Sequence, residues 1–350
     1  MFDALFTTTT EYKKLSHALS GKGACALFGL PASGRAQVYA ALCRQLDKPL
    51  CIVTPGEAEA TRFAADLNTL GIPAAVFPAR DYVLRSIEGT AREYEYRRLA
   101  VLGELVGGRL RAVAVPAEAL TQFTTPKEDF CANTRTLHAG DTLLRDELLA
   151  ALFGAGYTRR AQVDGPGQFS VRGDIVDIFA PGQKMPVRME FWGDEIDTLH
   201  TFDLTTQRRE DAIDKFYLSP AREVLFGKPA DAAEQLRAFL AKQRGKKKTA
   251  MADCMAADLD LLDGGAVPVN MDKYLAVPYP HPAPVLDYFD DPILVAEEPA
   301  SIREADRATA YRRGEELKSL ILDGVLCAGL DNLYADPSYL WSKTGHYRTI

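Results

Sequence analysis

Through residue 125, short apolar runs alternate with longer segments of helical period, and this alternation constrains the fold more than any other feature. The runs at 24–28, 50–54, 74–77 and 112–115 suit one strand each and are too short for helices. Between them, 57–70 and 91–106 read as helices. Strands joined this way need right-handed crossovers, so a mostly parallel sheet with helices on its faces is expected. Pro55-Gly56, Gly71, Pro73 and Pro116 fall where connections must turn.

The first connection has the setting of a phosphate-binding loop. An apolar run leads into Phe28-Gly29-Leu30-Pro31-Ala32-Ser33-Gly34-Arg35-Ala36, and a helical pattern follows at Val38, Ala41, Leu42 and Leu46. Gly29 and Gly34 have the Walker A spacing, G-x-x-x-x-G-K-[ST], but Arg35 stands at the lysine and Ala36 at the hydroxyl residue. Without that hydroxyl the loop has no side-chain Mg²⁺ ligand, and a planar guanidinium does not replace a compact ammonium. The loop, with Ser33 in it, reads as a degenerate nucleotide site that still offers helix N–H groups to an anion.

After Thr125-Pro126 the character changes. A helix over 142–153, capped by Asp141, precedes a β-rich section at 168–172, 174–179, 187–192 and 196–202. Val187, Met189 and Phe191 alternate with Arg188, Glu190 and Trp192, the pattern of a strand with one buried face. Gly193-Asp194 then suits a hairpin turn. Beyond Ser219-Pro220 lie a helix at 232–243, a basic stretch at 244–248 read as a flexible loop, a proline-rich segment, a strand at 293–296 and a charged helix at 301–322. The division expected is 1–125, an inserted domain at 126–219, and a returning half with a C-terminal helical segment at 220–350.

Of the 350 residues, 47% are hydrophobic and 25% charged, so packed cores rather than disorder are expected. The formal net charge of -7 argues against a chain devoted to wrapping nucleic acid. The six cysteines form no C-x-x-C pair and the five histidines are isolated, so neither a disulfide frame nor a metal site is expected. Neither a secretory leader nor a membrane-spanning run is evident, and a cytoplasmic protein without membrane contact is expected.

The run GQFSVRGDIVDIF, then PVRMEFWGDEIDTLHTFD, with GYTRR upstream, resembles the UvrA-binding domain shared by UvrB and the transcription-repair coupling factor family, over about 148–225. The flanks resemble the two halves of a UvrB-like domain 1, with VLDYFDDPILVAEEP at the Walker B strand. The fold so implied is α/β: a P-loop-NTPase-like parallel sheet with an inserted α+β domain containing an antiparallel sheet. Two departures favour the coupling factor over UvrB. The Walker A is degenerate, and UvrB's tyrosine-rich hairpin has no room in 77–105, which holds only Tyr82, Tyr94 and Tyr96.

The resemblance implies UvrA as partner, with Arg159, Arg160, Arg172 and Arg188 as contacts and Phe169 and Phe179 as apolar anchors or core. It implies a piece of a longer protein. ATP and Mg²⁺ would serve a motor absent here, and RNA polymerase and duplex DNA would bind through absent domains. No catalytic residue and no cofactor are expected in this chain. Glu297 and Glu298, at the Walker B place, are expected to cap the following helix rather than hold a metal. Residues 246–248 are read as a solvated run rather than a DNA contact, though weak DNA binding stays open. The competing readings are a divergent UvrB-type ATPase that binds damaged DNA and a duplex-DNA-binding module.

Overall fold

The computed structural model describes residues 6–86 and 92–350, and the backbone alone at 32 and 33. The start of the expected helix at 91 and the side chain of Ser33 lie outside the described residues. In chain order the first strands are Gly23–Ala24 (β1), Leu50–Thr54 (β2), Ala74–Val76 (β3) and Ala112–Pro116 (β4). The middle of the chain forms Arg135–His138 (β5), Thr158–Arg159 (β6), Gln168–Arg172 (β7), Ile175–Phe179 (β8), Val187–Trp192 (β9), Glu195–Phe202 (β10), Arg209–Ala212 (β11) and Lys215–Leu218 (β12). Ile293–Ala296 (β13) and Arg348–Thr349 (β14) follow.

The first sheet is parallel throughout, in the order β1-β14-β13-β2-β4-β3. β2 and β4 are buried along their whole length, because helices cover both faces. One layer packs Leu50, Ile52, Ala112 and Ala114 against the helices Ala32–Leu46 and Glu57–Thr69. The other packs Cys51, Val53, Val113 and Val115 against Leu99 and Leu102 of the helix Glu93–Val106. Each buried Leu, Ile or Val among them contributes roughly 1.5–3 kcal/mol on burial.

The second sheet runs β11-β10-β9-β8-β7-β6. It is antiparallel except for β6, which pairs parallel with β7. Phe169, Val176, Ile178, Val187, Met189 and Phe191 point to one face, where Leu148 and Leu152 of the helix Arg145–Gly154 cover them. A third core joins the helices Pro229–Ala241 and Gly245–Asp263 to the end of the helix Pro299–Leu322, with Tyr274 and Leu330 buried among them.

Several expectations are corrected. The strand expected at 24–28 is only β1, whose partner β14 is itself two residues long, and Phe28 is exposed. Asp141 does not cap a helix, since its carboxylate accepts the backbone N–H of His138 and the helix begins at Arg145. The stretch at 244–248 is no flexible loop, because Gly245 at φ +60° turns the chain directly into a helix. β14, which inserts between β1 and β13, has no counterpart in the sequence reading.

Candidate functional site

Two places hold the residues singled out by sequence. The first is the carboxyl edge of the parallel sheet, where open α/β folds bind ligands. β13 pairs with β2 in register, Ala296 beside Val53, and so delivers Glu297 to this edge. Gly29, at φ +84°, turns the chain, and Pro31 leads into the helix that carries Arg35 and Tyr39 on one side, four residues apart. Gly34 has no comparable need to be glycine, since an added Cβ would lie an ordinary 3.5 Å from the Pro31 ring.

Arg35 fills the site itself. Its Nη1 donates to Glu297 Oε2 at 2.6 Å and lies 2.9 Å from Glu298 Oε1, while the Tyr39 hydroxyl donates to Glu297 Oε1 at 2.5 Å. Glu297 is buried, and its hydrogen bond to Arg35 is the main reason the guanidinium holds its proton more tightly than usual. Burial, then the neighbouring Glu297 charge, push the Tyr39 hydroxyl well above its ordinary pKa. Glu298 occupies the cap position of the next helix at φ +54° but makes no capping bond, so the expected cap is corrected to an ion pair with Arg35. Ala36 is packed in the core. The remaining cavity, about 260 Å³, is thus lined by one cation and two carboxylates, a surplus of negative charge that opposes a phosphate. Among the described residues no group of three or more His, Cys, Asp or Glu side chains could hold a metal ion.

The second place is the outward face of the second sheet. Alternation turns Ser170 and Arg172, Ile175, Asp177 and Phe179, and Arg188, Glu190 and Trp192 away from the helix-covered core. Asp177, 1% exposed, is the centre. Arg188 donates Nε to Asp177 Oδ1 at 2.7 Å and Nη2 to Oδ2 at 2.9 Å, and Arg172 donates Nη2 to Oδ2 at 2.6 Å. Arg188 also stacks over Phe202, its guanidinium carbon 4.7 Å from the ring centre. Arg188 is therefore buried as a support, and Arg172 reaches solvent beside it.

Phe169 is a core residue in edge-to-face contact with Phe153, and Phe179 is buried with Val163 and Phe202. Phe169 and Phe179 are thus core, one of the two alternatives the sequence left open, and Arg188 is corrected from a contact to a buried support of Asp177. Arg159 and Arg160, on and just after the edge strand β6, are exposed and have no ion-pair partner among the described residues. Sequence reasoning missed Tyr39, Asp177 and Trp192. The four-residue spacing from Arg35 and the period-two pattern were the signals available.

The family model described as the UvrB interaction domain matches residues 136–224, which contain this second sheet. The transcription-repair-coupling factor of Bacillus subtilis is 27% identical over 308 residues, 85% of this chain and 26% of that protein. Those of Myxococcus xanthus and Mycobacterium tuberculosis are 35% identical over 208 residues and 33% over 257 residues. This chain matches a UvrB-like module of the transcription-repair coupling factors. It spans about a quarter of the Bacillus subtilis coupling factor's length and 17% and 20% of the other two. The coupling-factor match covers 85% of the chain and so extends well beyond the UvrB interaction domain. Among the described residues no helix is long and apolar enough to cross a membrane.

Proposed function

We propose that this chain is the UvrA-binding module of a cytoplasmic transcription-repair coupling factor, recruiting nucleotide excision repair to a stalled RNA polymerase. The observation that carries the proposal is Arg172 on the outward face, with Arg159 and Arg160 exposed at the β6 edge, of a sheet that matches the UvrB interaction domain. Guanidinium groups give planar, paired contacts to carboxylates, which suits a protein partner with an acidic surface. The work is binding, with no bond chemistry in this chain. RNA polymerase, duplex DNA and ATP hydrolysis belong to other parts of such a factor.

The test is the affinity of purified UvrA for the chain and for its Arg172→Ala and Arg159→Ala variants. Each variant is expected to lose about 2 kcal/mol of binding; the exposed Arg159→Ala should melt like the parent, and Arg172→Ala, which leaves buried Asp177 with Arg188 as its partner, only somewhat lower. Parent-like affinity in both would overturn the proposal. The Arg35–Glu297–Glu298 closure further supports a module that uses neither ATP nor Mg²⁺. Calorimetry with ATP and Mg²⁺ should give no heat of binding, and micromolar affinity would favour the divergent ATPase instead.

A further inference from the structure

Trp192 is 82% exposed, at the end of β9 where the Gly193-Asp194 turn leads into β10. An indole left in water forgoes the gain of burial, and tryptophan with arginine dominates the energetics of protein interfaces. The pairing places it relative to Arg172. Arg172 stands opposite Ile175, and Ile175 stands opposite Glu190, so Arg172 and Glu190 share one row of the outward face, two strands apart. Trp192 is one outward-facing step beyond Glu190. With strands about 4.8 Å apart and about 3.4 Å per residue, the Cα atoms of Arg172 and Trp192 are roughly 12 Å apart. That separation lies well within a single protein interface.

The two ends of this face differ in charge. Arg172, with Arg160 at the edge just after β6, makes the β6–β7 end cationic, and Asp177, tied to Arg188, holds Arg172 in place from beneath. Asp174, Asp194, Glu195 and Asp197 are exposed on the turns and strand around Trp192. Glu190, beside Trp192, is neutralised by its ion pair with Arg209. An anionic lipid surface or a phosphate backbone would be repelled by the carboxylates around the indole. A protein that offers an apolar recess there and carboxylates toward β6 would satisfy both ends.

We infer that Trp192 is the apolar anchor of the interface, and that the partner offers an apolar recess to it and carboxylates to Arg172, two side chains whose Cα atoms are about 12 Å apart. This rests on the proposed UvrA contact. The experiment uses the chain labelled with 5-fluorotryptophan, whose two tryptophans, Trp192 and Trp341, give two ¹⁹F signals, and unlabelled UvrA. The Trp192 signal is expected to shift or broaden on addition of UvrA while Trp341 stays put. Trp192→Ala should weaken UvrA binding at least tenfold, mainly through faster dissociation, and Trp192→Phe should stay within about threefold of the parent. If Arg172→Ala weakens binding but the Trp192 signal and the Trp192→Ala affinity are unchanged, the anchor is refuted and the UvrA contact stands. If UvrA does not bind the parent chain, both fall together.

Discussion

Asp306, 7% exposed on the helix Pro299–Leu322, bears directly on how single residues set stability. Burial pushes its carboxyl up to about 6, against the opposing pull of Arg313. The unfolded group titrates near 4, so between about pH 4 and 6 the folded state binds the extra proton and stability falls as pH rises. Above about 6 the cost persists in full. Asp306→Asn is therefore expected to stabilise the chain by about 1 kcal/mol at pH 7.5, a figure that allows for partial solvent screening, and by nothing at pH 4. Urea denaturation at the two pH values checks this, and an equal effect at both would refute it. Arg35 makes the complementary case, because Arg35→Ala leaves buried Glu297 with Tyr39 as its remaining partner. A loss of about 1–3 kcal/mol in chemical denaturation is expected, with no gain of ATP binding. The sequence revealed that Arg35 was wrong for a nucleotide loop but not what it binds, since Glu297 lies 262 residues away and only β13 brings it back.

At the scale of elements, the legible ones carry their periodicity within themselves. β2, β4 and β7 to β10 lie close to where alternation or an unbroken apolar run put them, and so do the helices Glu57–Thr69 and Pro299–Leu322. β14 escaped because two residues have no period, and their pairing is decided by β1 and β13 alone. The outward arginines were legible as residue types. Which were exposed was not, because Arg188 and Phe179 face outward yet are buried under Phe202 and neighbouring loops. The helix Gly245–Asp263 was obscured by its first turn, where Lys246, Lys247 and Lys248 oppose the positive end of the helix dipole. Replacing Lys246 with glutamate reverses that unfavourable term. Lys246→Glu is expected to raise stability by roughly 0.3–1 kcal/mol and to leave UvrA binding unchanged. A duplex-DNA titration on the same variant is expected to match the parent, and lost salt-dependent binding would instead make this turn a nucleic-acid contact.

The parts of the molecule meet at a buried cluster of charges. Arg98 of the helix Glu93–Val106 donates Nε to Glu223 Oε1 at 2.6 Å, just beyond the exit from the second sheet. Arg80, following β3, lies 3.3 Å from the same oxygen and donates Nη1 to Asp272 Oδ2 at 2.7 Å, within the third core. Asp272 also accepts the Val83 N–H, and Glu95 accepts the Glu223 N–H at 2.9 Å. Arg80, Arg98, Glu223, Glu95 and Asp272 are all buried, so each charge depends on the others for solvation. Removing one charge, as in Glu223→Gln, leaves Arg98 without its carboxylate and Arg80 with Asp272 alone, and is expected to cost about 3–5 kcal/mol. The loss should fall on the joint rather than on any one core, because each of the three layers keeps its own apolar packing. Acid attacks the same joint. Burial works to raise the Glu95 carboxyl, but Arg80, Arg222 and Arg92 overcome it and hold the group down at about 2. Glu95 thus contributes stability that is fully present above the unfolded value of about 4.3 and is lost as pH falls from there toward 2, an amount on the order of a few kcal/mol. Calorimetric scans from pH 7 to 2.5 are expected to show the parent melting temperature dropping steeply below about pH 4.5. Glu95→Gln should start lower and descend less steeply over that window, and parallel curves for the two proteins would show that the joint does not govern acid stability.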